Sequence, residues 1–217
     1  MFKRVIITSG PTIEPIDPVR FLSNRSSGKT GYHLANEAAK RNIPEILFIT
    51  GPTHYKPPGV TFIPVETALQ MREQLLKYYK IADVIIMAAA VCDYRITRYF
   101  TKKIKKNDDK LVLEFTRNPD LLMETGKNKT GNQLLVGFAA ETHNILKNAG
   151  KKFQKKNLDL LVLNEISAEN PAFNAEENQV YLVTAEGTRK LEKMEKSLLA
   201  ARIWDEIYNM AKIKKLK

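Results

Sequence analysis

Serine, glycine, lysine and threonine crowd into SNRSSGKTG, residues 23–31, a composition suited to gripping phosphate. A P-loop needs a glycine five places before Gly28 so that the backbone can wrap a polyphosphate, and Ser23 stands there. Spacing therefore excludes an ATPase-type P-loop. What remains is Ser26-Ser27-Gly28 ahead of a helix-forming run, Lys29 to Arg41, whose first backbone N–H groups can hold an anion. Five further polar or glycine-bearing turns follow apolar runs: TSGPT (8–12), TGPT (50–53), AAAVCDYR (88–95), FAAET (138–142) and NEIS (164–167). Five such turns at one sheet edge make a ligand crevice.

Other chemistries lack their residues. TSGPT carries one glycine followed by proline, so the GxGxxG turn that binds a nicotinamide dinucleotide is not available. His33, His54 and His143 are scattered with no HExxH, which disfavours a protein-built zinc site, and no metal ligands are assigned. His33 reads as filler on its helix. There is no GxSxG, and the single cysteine, Cys92, has no histidine beside it, so acyl-enzyme chemistry has no nucleophile. Cys92 reads as a small buried residue, and one cysteine fits a reducing cytosol, hence a cytoplasmic location.

The elements that must carry these turns follow from periodicity. Branched apolar runs VIIT (5–8), EILFIT (45–50), VTFIPV (60–65), DVIIMAAA (83–90), LLVGFAA (134–140) and DLLVLN (159–164) alternate with helical segments. The helices predicted are 29–41, 68–79 with a Thr67–Gln70 capping box, and about 195–211, whose Leu199, Ile203 and Ile207 share a face. QVYLVT (179–184) and 188–191, joined through Glu186-Gly187, read as an antiparallel hairpin. The expected fold is α/β, Rossmann-like and doubly wound, with a mostly parallel sheet and that hairpin near the C-terminus, in a single domain over 1–217. Residues 91–117 break the pattern as a basic loop, mobile at about 96–110, followed by a strand-like LVLEF.

The net charge of +11, from 35 basic and 24 acidic residues, calls for an anionic partner: nucleic acid, a membrane surface or phosphorylated small molecules. Lysines gather at 102–110, 147–156 and in the tail 212–217, the last read as a solvated helix end. No apolar run approaches the roughly 20 residues that span a bilayer, and MFKRVIITSG is too short in its apolar part for a signal sequence, so no membrane partner is expected. A basic nucleic-acid-binding α/β module is the alternative from another class. Against it, the sequence shows no recognition-helix, zinc-finger or aromatic RNP pattern.

DPVRFLSNRSSGKTG (17–31), AAAVCDYR, KKIKK (102–106), RNPDLL (117–122), GFAAET (137–142) and KKNLDLLVLNEIS (155–167) occur in that order. Together they resemble the phosphopantothenate-cysteine ligase domain of coenzyme A biosynthesis, from Val5 to about Tyr208. The resemblance implies a ligase that forms an acyl-nucleotide from 4′-phosphopantothenate and a nucleoside triphosphate, which the amine of L-cysteine then resolves. It implies CTP rather than ATP as co-substrate, Mg²⁺ with the nucleotide, and a homodimer paired through the hairpin or the segment after Asn164. It also implies a stand-alone ligase whose flavin-dependent decarboxylase is a separate protein.

By the same resemblance Asn24 lies beside the acyl-phosphate, Arg20 neutralises phosphate, and Lys103 serves the first step from a lid-like loop. Gly10, Ala88, Ala89, Asp93, Asn118, Pro119, Asp120, Leu121, Phe138, Lys152 and Lys156 join Lys103 as nucleotide contacts. Ser26, Ser27, Gly28 and Lys29 join Asn24 around phosphopantothenate. Cys92 stands where the family commonly has alanine or serine, a small replacement expected to leave the backbone unchanged.

Overall fold

The computed structural model describes residues 2–106, 110–141, 145–167, 170, 173 and 175–214. Its elements are β1 (Arg4–Ser9), β2 (Ile13–Pro15), β3 (Phe21–Ser23), α1 (Lys29–Lys40), β4 (Glu45–Thr50), β5 (Thr61–Pro64), α2 (Ala68–Tyr78), a 3-10 turn (Tyr79–Ile81), β6 (Val84–Met87), β7 (Tyr94–Ile96), β8 (Phe115–Arg117), α3 (Leu121–Asn128), β9 (Leu134–Glu141), α4 (Ile145–Lys155), β10 (Leu160–Glu165), β11 (Glu177–Asn178), β12 (Val180–Thr184), β13 (Gly187–Lys190), β14 (Met194–Glu195) and α5 (Lys196–Ile213).

Strands buried on both faces need apolar residues at every position, and the branched runs supply them. Eight strands form one sheet in the order β13-β12-β10-β9-β6-β1-β4-β5. The six from β10 to β5 are parallel, and β12 and β13 add antiparallel at one edge. The chain leaves β1 toward β4 and β5, then returns to lay β6 on the other side of β1. This reversal is the switch point where doubly wound sheets bind ligands. The expected Rossmann-like class is the one observed.

Two cores cover the sheet. On one face α1 and α5 meet through Leu34, Ala35, Ala38, Leu199, Ile203 and Ile207, with Trp204 wholly buried and its indole N–H donating to the Leu34 carbonyl at 2.9 Å. On the other, Met71, Leu75, Leu121 and Ala149 pack on Ile6, Ile85 and Leu135. The Thr67–Gln70 capping box is present at the start of α2. No helix among the described residues is long and apolar enough to cross a membrane.

Two boundaries differ from the periodicity. β6 ends at Met87, so Ala88–Ala90 is a turn and only Ala90 bridges to Pro11. LVLEF is not a strand: only Phe115–Arg117 pairs, with Tyr94–Ile96, while Leu111 and Val112 are 55% and 90% exposed. Their β-propensity finds no partner edge, because β7 is three residues long.

Candidate functional site

The start of α1 is set by contact with β1. A Cβ on Gly31 would lie 2.3 Å from Ser9 Oγ and 2.5 Å from Ser9 Cβ, so only glycine lets the helix sit this close to the strand. Ser9 Oγ donates to the Gly28 carbonyl at 3.0 Å, and Thr53 Oγ1 donates to the Ser27 carbonyl at 2.8 Å. TGPT thus braces the helix start. Gly28 is left-handed, φ 81°, and gives α1 no side-chain cap; Ser26 and Ser27 hydroxyls accept from the Gly28 and Lys29 N–H groups at 3.3 and 3.4 Å. A helix terminus built this way presents its partial positive charge to the space in front of it.

That space is a cleft between the helix start, residues 26–31, the Ala88–Ala90 turn, Phe138–Ala140 at the end of β9, and Asn164, Phe173, Asn178 and Lys196. The structure therefore brings together Ser26, Ser27, Gly28, Lys29, Ala88, Ala89 and Phe138, with Gly10 directly behind Gly28. Asn24 does not line the cleft but is bound to its edge: its amide donates to the Ala90 and Val91 carbonyls, both at 3.1 Å.

The turn after β6 is clamped from the far side. Asn118 Nδ2 donates to the Cys92 carbonyl at 2.9 Å, its backbone N–H donates to the Asp93 carbonyl at 2.8 Å, and Arg95 donates to Asn118 Oδ1 at 3.0 Å. Cys92 is buried as read, and burial pushes its thiol up from the ordinary value. Glu14, buried beneath, accepts from the Ala68 N–H at 2.9 Å; burial raises its carboxyl despite the hydrogen bonds it accepts. Asp93 is exposed, and Pro119 is half-buried in the turn before α3. Asp120 caps α3 through the Met123 N–H and pairs with Lys156 at 3.0 Å. Lys152 is paired with Glu141. Leu121 packs in the core at 3% exposure, leaving only its backbone for a ligand.

Arg20 and Lys103 do not line the cleft. Arg20 donates to Asp17 at 2.8 Å and borders a separate hollow with Glu14 and Arg95. The same Asp17 accepts from the Ile104 N–H at 3.1 Å, which tethers the basic loop. Burial opposes ionisation of Asp17, but the N–H groups of Ile104, Val19 and Arg20 with the Arg20 guanidinium outweigh it and hold the carboxyl below its ordinary value. Lys103 itself is exposed. Residues 107–109 of that loop, Thr142, His143 and the tail from 215 lie outside the described residues.

Three cleft residues lie outside every motif that the sequence reading placed at the crevice: Phe173, Asn178 and Lys196; Asn164 was placed there only as the first residue of NEIS. A signal for Lys196 was present. It is in phase with Leu199, Ile203 and Ile207 on the stripe that faces the sheet, where a lysine is out of place. Burial and then the neighbouring Lys29 push its ammonium below the ordinary value, against the pull of Glu176. Lys29 is held above its ordinary value by its hydrogen bond to Glu176. His33 is lowered, by burial and then by Lys29. Among the described residues no three His, Cys, Asp or Glu side chains gather as a metal cage.

Residues 1–210 match the family model described as the DNA/pantothenate metabolism flavoprotein C-terminal domain. The chain is 44% identical over 213 residues to the coenzyme A biosynthesis bifunctional protein CoaBC of Bacillus subtilis, covering 97% of this chain and 52% of that protein. It is 40% identical over 209 residues to the CoaBC of Borreliella burgdorferi, with 95% and 52% covered. The chain thus spans about half the length of these curated relatives. Among solved structures, the C-terminal domain of CoaBC aligns with a TM-score of 0.80 at 38% identity, over 97% of this chain and 96% of that one. A Cab2 variant in complex with phosphopantothenate-cysteine aligns with a TM-score of 0.77 at 18% identity, over 98% and 89%, and shares the fold.

Proposed function

The chain belongs to the DNA/pantothenate metabolism flavoprotein C-terminal domain family, and from that premise we propose that it joins 4′-phosphopantothenate to the amine of L-cysteine, with CTP as the activating nucleotide. The observation that carries this reading is the convergence of Asn24, the α1 start and the Ala88–Ala90 turn at the switch point of the sheet.

In the first step a carboxylate oxygen of phosphopantothenate attacks the α-phosphorus of CTP. A bond forms there, the bond to the bridging oxygen of the β-phosphate breaks, and pyrophosphate leaves with the electron pair. In the second, the cysteine amine attacks the acyl carbon, the bond to the cytidylate oxygen breaks, CMP departs and the nitrogen sheds a proton. Both steps join anions, so positioning and charge neutralisation do the chemistry, and no covalent nucleophile is required. The α1 start and Lys29 neutralise phosphate. Arg20 and Lys103, which lie outside the cleft, add charge when the basic loop that Asp17 tethers closes toward the bound nucleotide. Asn24 holds the acyl carbonyl once substrate takes one amide hydrogen from the Ala90 and Val91 carbonyls. Mg²⁺, when bound with the nucleotide, screens its phosphates.

The CTP preference rests on the family resemblance and on cytosine's N4 donor and O2 and N3 acceptors; because the N–H groups of Ala88, Ala89 and Ala90 are taken by Thr8 and Gly10, the carbonyls of that turn and the 119–121 segment are the groups that would pair the base. A site built on such pairs rejects an analogue that leaves them unmade by ~10⁴-fold. The test is pyrophosphate release with CTP or ATP at equal concentration, plus phosphopantothenate and cysteine. Release with CTP and little with ATP is expected. Faster release with ATP overturns the nucleotide choice, and no release with either overturns the ligase.

Two copies pair, in this reading, through a face bearing Val19, Phe21, Tyr94, Tyr99 and Phe115, each at least 38% exposed. The hairpin edge β13, with sequence GTRK, offers no large apolar side chain. Sedimentation as a fully active monomer at micromolar concentration would reject the pairing.

A further inference from the structure

Two groups in the cleft have no part in the mechanism above. Lys196 opens α5 and is only 3% exposed, although a helix N-terminus and a buried position both disfavour a cation. Its backbone N–H donates to the Glu176 carbonyl at 3.0 Å, which fixes it beside Lys29, the partner of the Glu176 carboxylate. That carboxylate is 79% exposed, so it is free to swing away when another anion arrives. Asn178 is likewise 3% exposed. Its Nδ2 donates to Asn164 Oδ1 at 2.5 Å, while its own Oδ1 is buried with no hydrogen-bond partner among the described residues. Buried polar atoms in native proteins are paired, and an unpaired acceptor lining a cleft marks a place that a ligand or its water completes.

We propose that Lys196, with Lys29 and the α1 start, grips the terminal phosphates of the nucleoside triphosphate, and that Asn178 Oδ1 accepts from water bound to those phosphates. Two ammonium groups and a helix N-terminus converge where Glu176 otherwise supplies the negative charge, which is the charge pattern of a polyphosphate. The phosphates displace the Glu176 carboxylate from Lys29. In a buried setting an ammonium acts strongly on the charge that grows on departing pyrophosphate. That a nucleoside triphosphate brings these phosphates rests on the ligase reading; the affinity of the site for pyrophosphate does not.

Isothermal titration of Lys196→Gln with CTP, CMP and inorganic pyrophosphate separates the possibilities. The expected result is a loss of at least ~10-fold for CTP and pyrophosphate, the scale of one charge-assisted hydrogen bond, with CMP changed by less than ~2-fold. Equal losses for CTP and CMP, or none, overturn the assignment. Should Lys196→Gln fail to fold, Lys196→Arg keeps the charge and identifies the Lys196 ε-carbon resonance as the one missing from its spectrum. In the wild type that resonance should shift on adding pyrophosphate and not on adding CMP; no shift with pyrophosphate overturns the assignment. Pyrophosphate binding that depends on Lys196 in a protein without ligase turnover would uphold this site and reject the ligase reading.

Discussion

The start of α1 and the basic loop between β7 and β8 both offer positive charge to an anion, and they are built in opposite ways. The helix start is held by buried contacts from two strands: Gly31 against Ser9, Ser9 to Gly28, Thr53 to Ser27. The loop leaves Lys102, Lys103, Lys105 and Lys106 exposed and, among the described residues, is tied at Ile104 to the Asp17 carboxylate and, at 3.4 Å, to the Arg20 guanidinium, with a backbone bond from Phe100 to Ile16. A group that aligns reacting atoms needs over-determined support, whereas one that must close on a ligand and release it needs a weak tether. Substitutions should therefore damage folding in the first region and turnover in the second.

Gly31→Ala should have the largest effect. Its new methyl group meets Ser9 Cβ at 2.5 Å, and overpacking of that kind destabilises by ~1–3 kcal/mol, read as a lower urea midpoint. Adding Ser9→Gly removes the clashing atoms but also the Ser9–Gly28 hydrogen bond, so the two losses should not add: the double variant should be limited by the missing bond and backbone freedom of ~1–2 kcal/mol, not by the clash. An unchanged midpoint for Gly31→Ala would show that the helix start is not held there.

Lys103→Gln sharpens the contrast from the other side. Pyrophosphate release should slow by ~100-fold, as for a lost electrostatic contact to the reacting phosphate. The unfolding free energy should move by less than ~0.5 kcal/mol, because the side chain is exposed. A destabilised variant with normal turnover would reverse the comparison.

Ser9→Ala deletes one buried hydrogen bond and leaves the Gly28 carbonyl without its donor, a loss of ~1 kcal/mol by urea titration. The smallest expected effect is that of pH on the loop tether. Asp17 titrates below its ordinary value of 3.8, so its contribution is complete above that value and is lost as pH falls through the lower, folded-state pKa. Hydrogen-exchange protection of the Ile104 amide, corrected for intrinsic rate, should be flat from pH 8 to about 5 and fall only below ~3.8. Protection lost near neutral pH would remove Asp17 as the anchor.

Much of this arrangement was legible in the chain. Strands buried on both faces need unbroken branched runs, so β1, β4, β9 and β10 lie within a residue of where periodicity put them. Turns with glycine or polar residues after parallel strands must share one edge, which placed AAAVCDYR and FAAET at the crevice, while the choice of residues 26–29, Ala88, Ala89 and Phe138 as contacts came from the family resemblance. LVLEF misled because strand formation depends on a partner edge that local propensity does not report.

The sequence by itself determined the sheet, its winding and the helix start that faces the crevice, because these depend on periodicity and steric rules local to each segment. Only the tertiary structure decided which charges meet. Arg20 and Ile104 share Asp17 across more than eighty residues, Lys156 finds Asp120, Lys152 finds Glu141, and Lys196 and Asn178 reach the cleft from the far end of the chain. Side chains distant in sequence carry no periodic mark of their neighbours. Their pairing is fixed by how α1 and α5 pack on one face of the sheet, how α3 and α4 pack on the other, and where the loops between strands close.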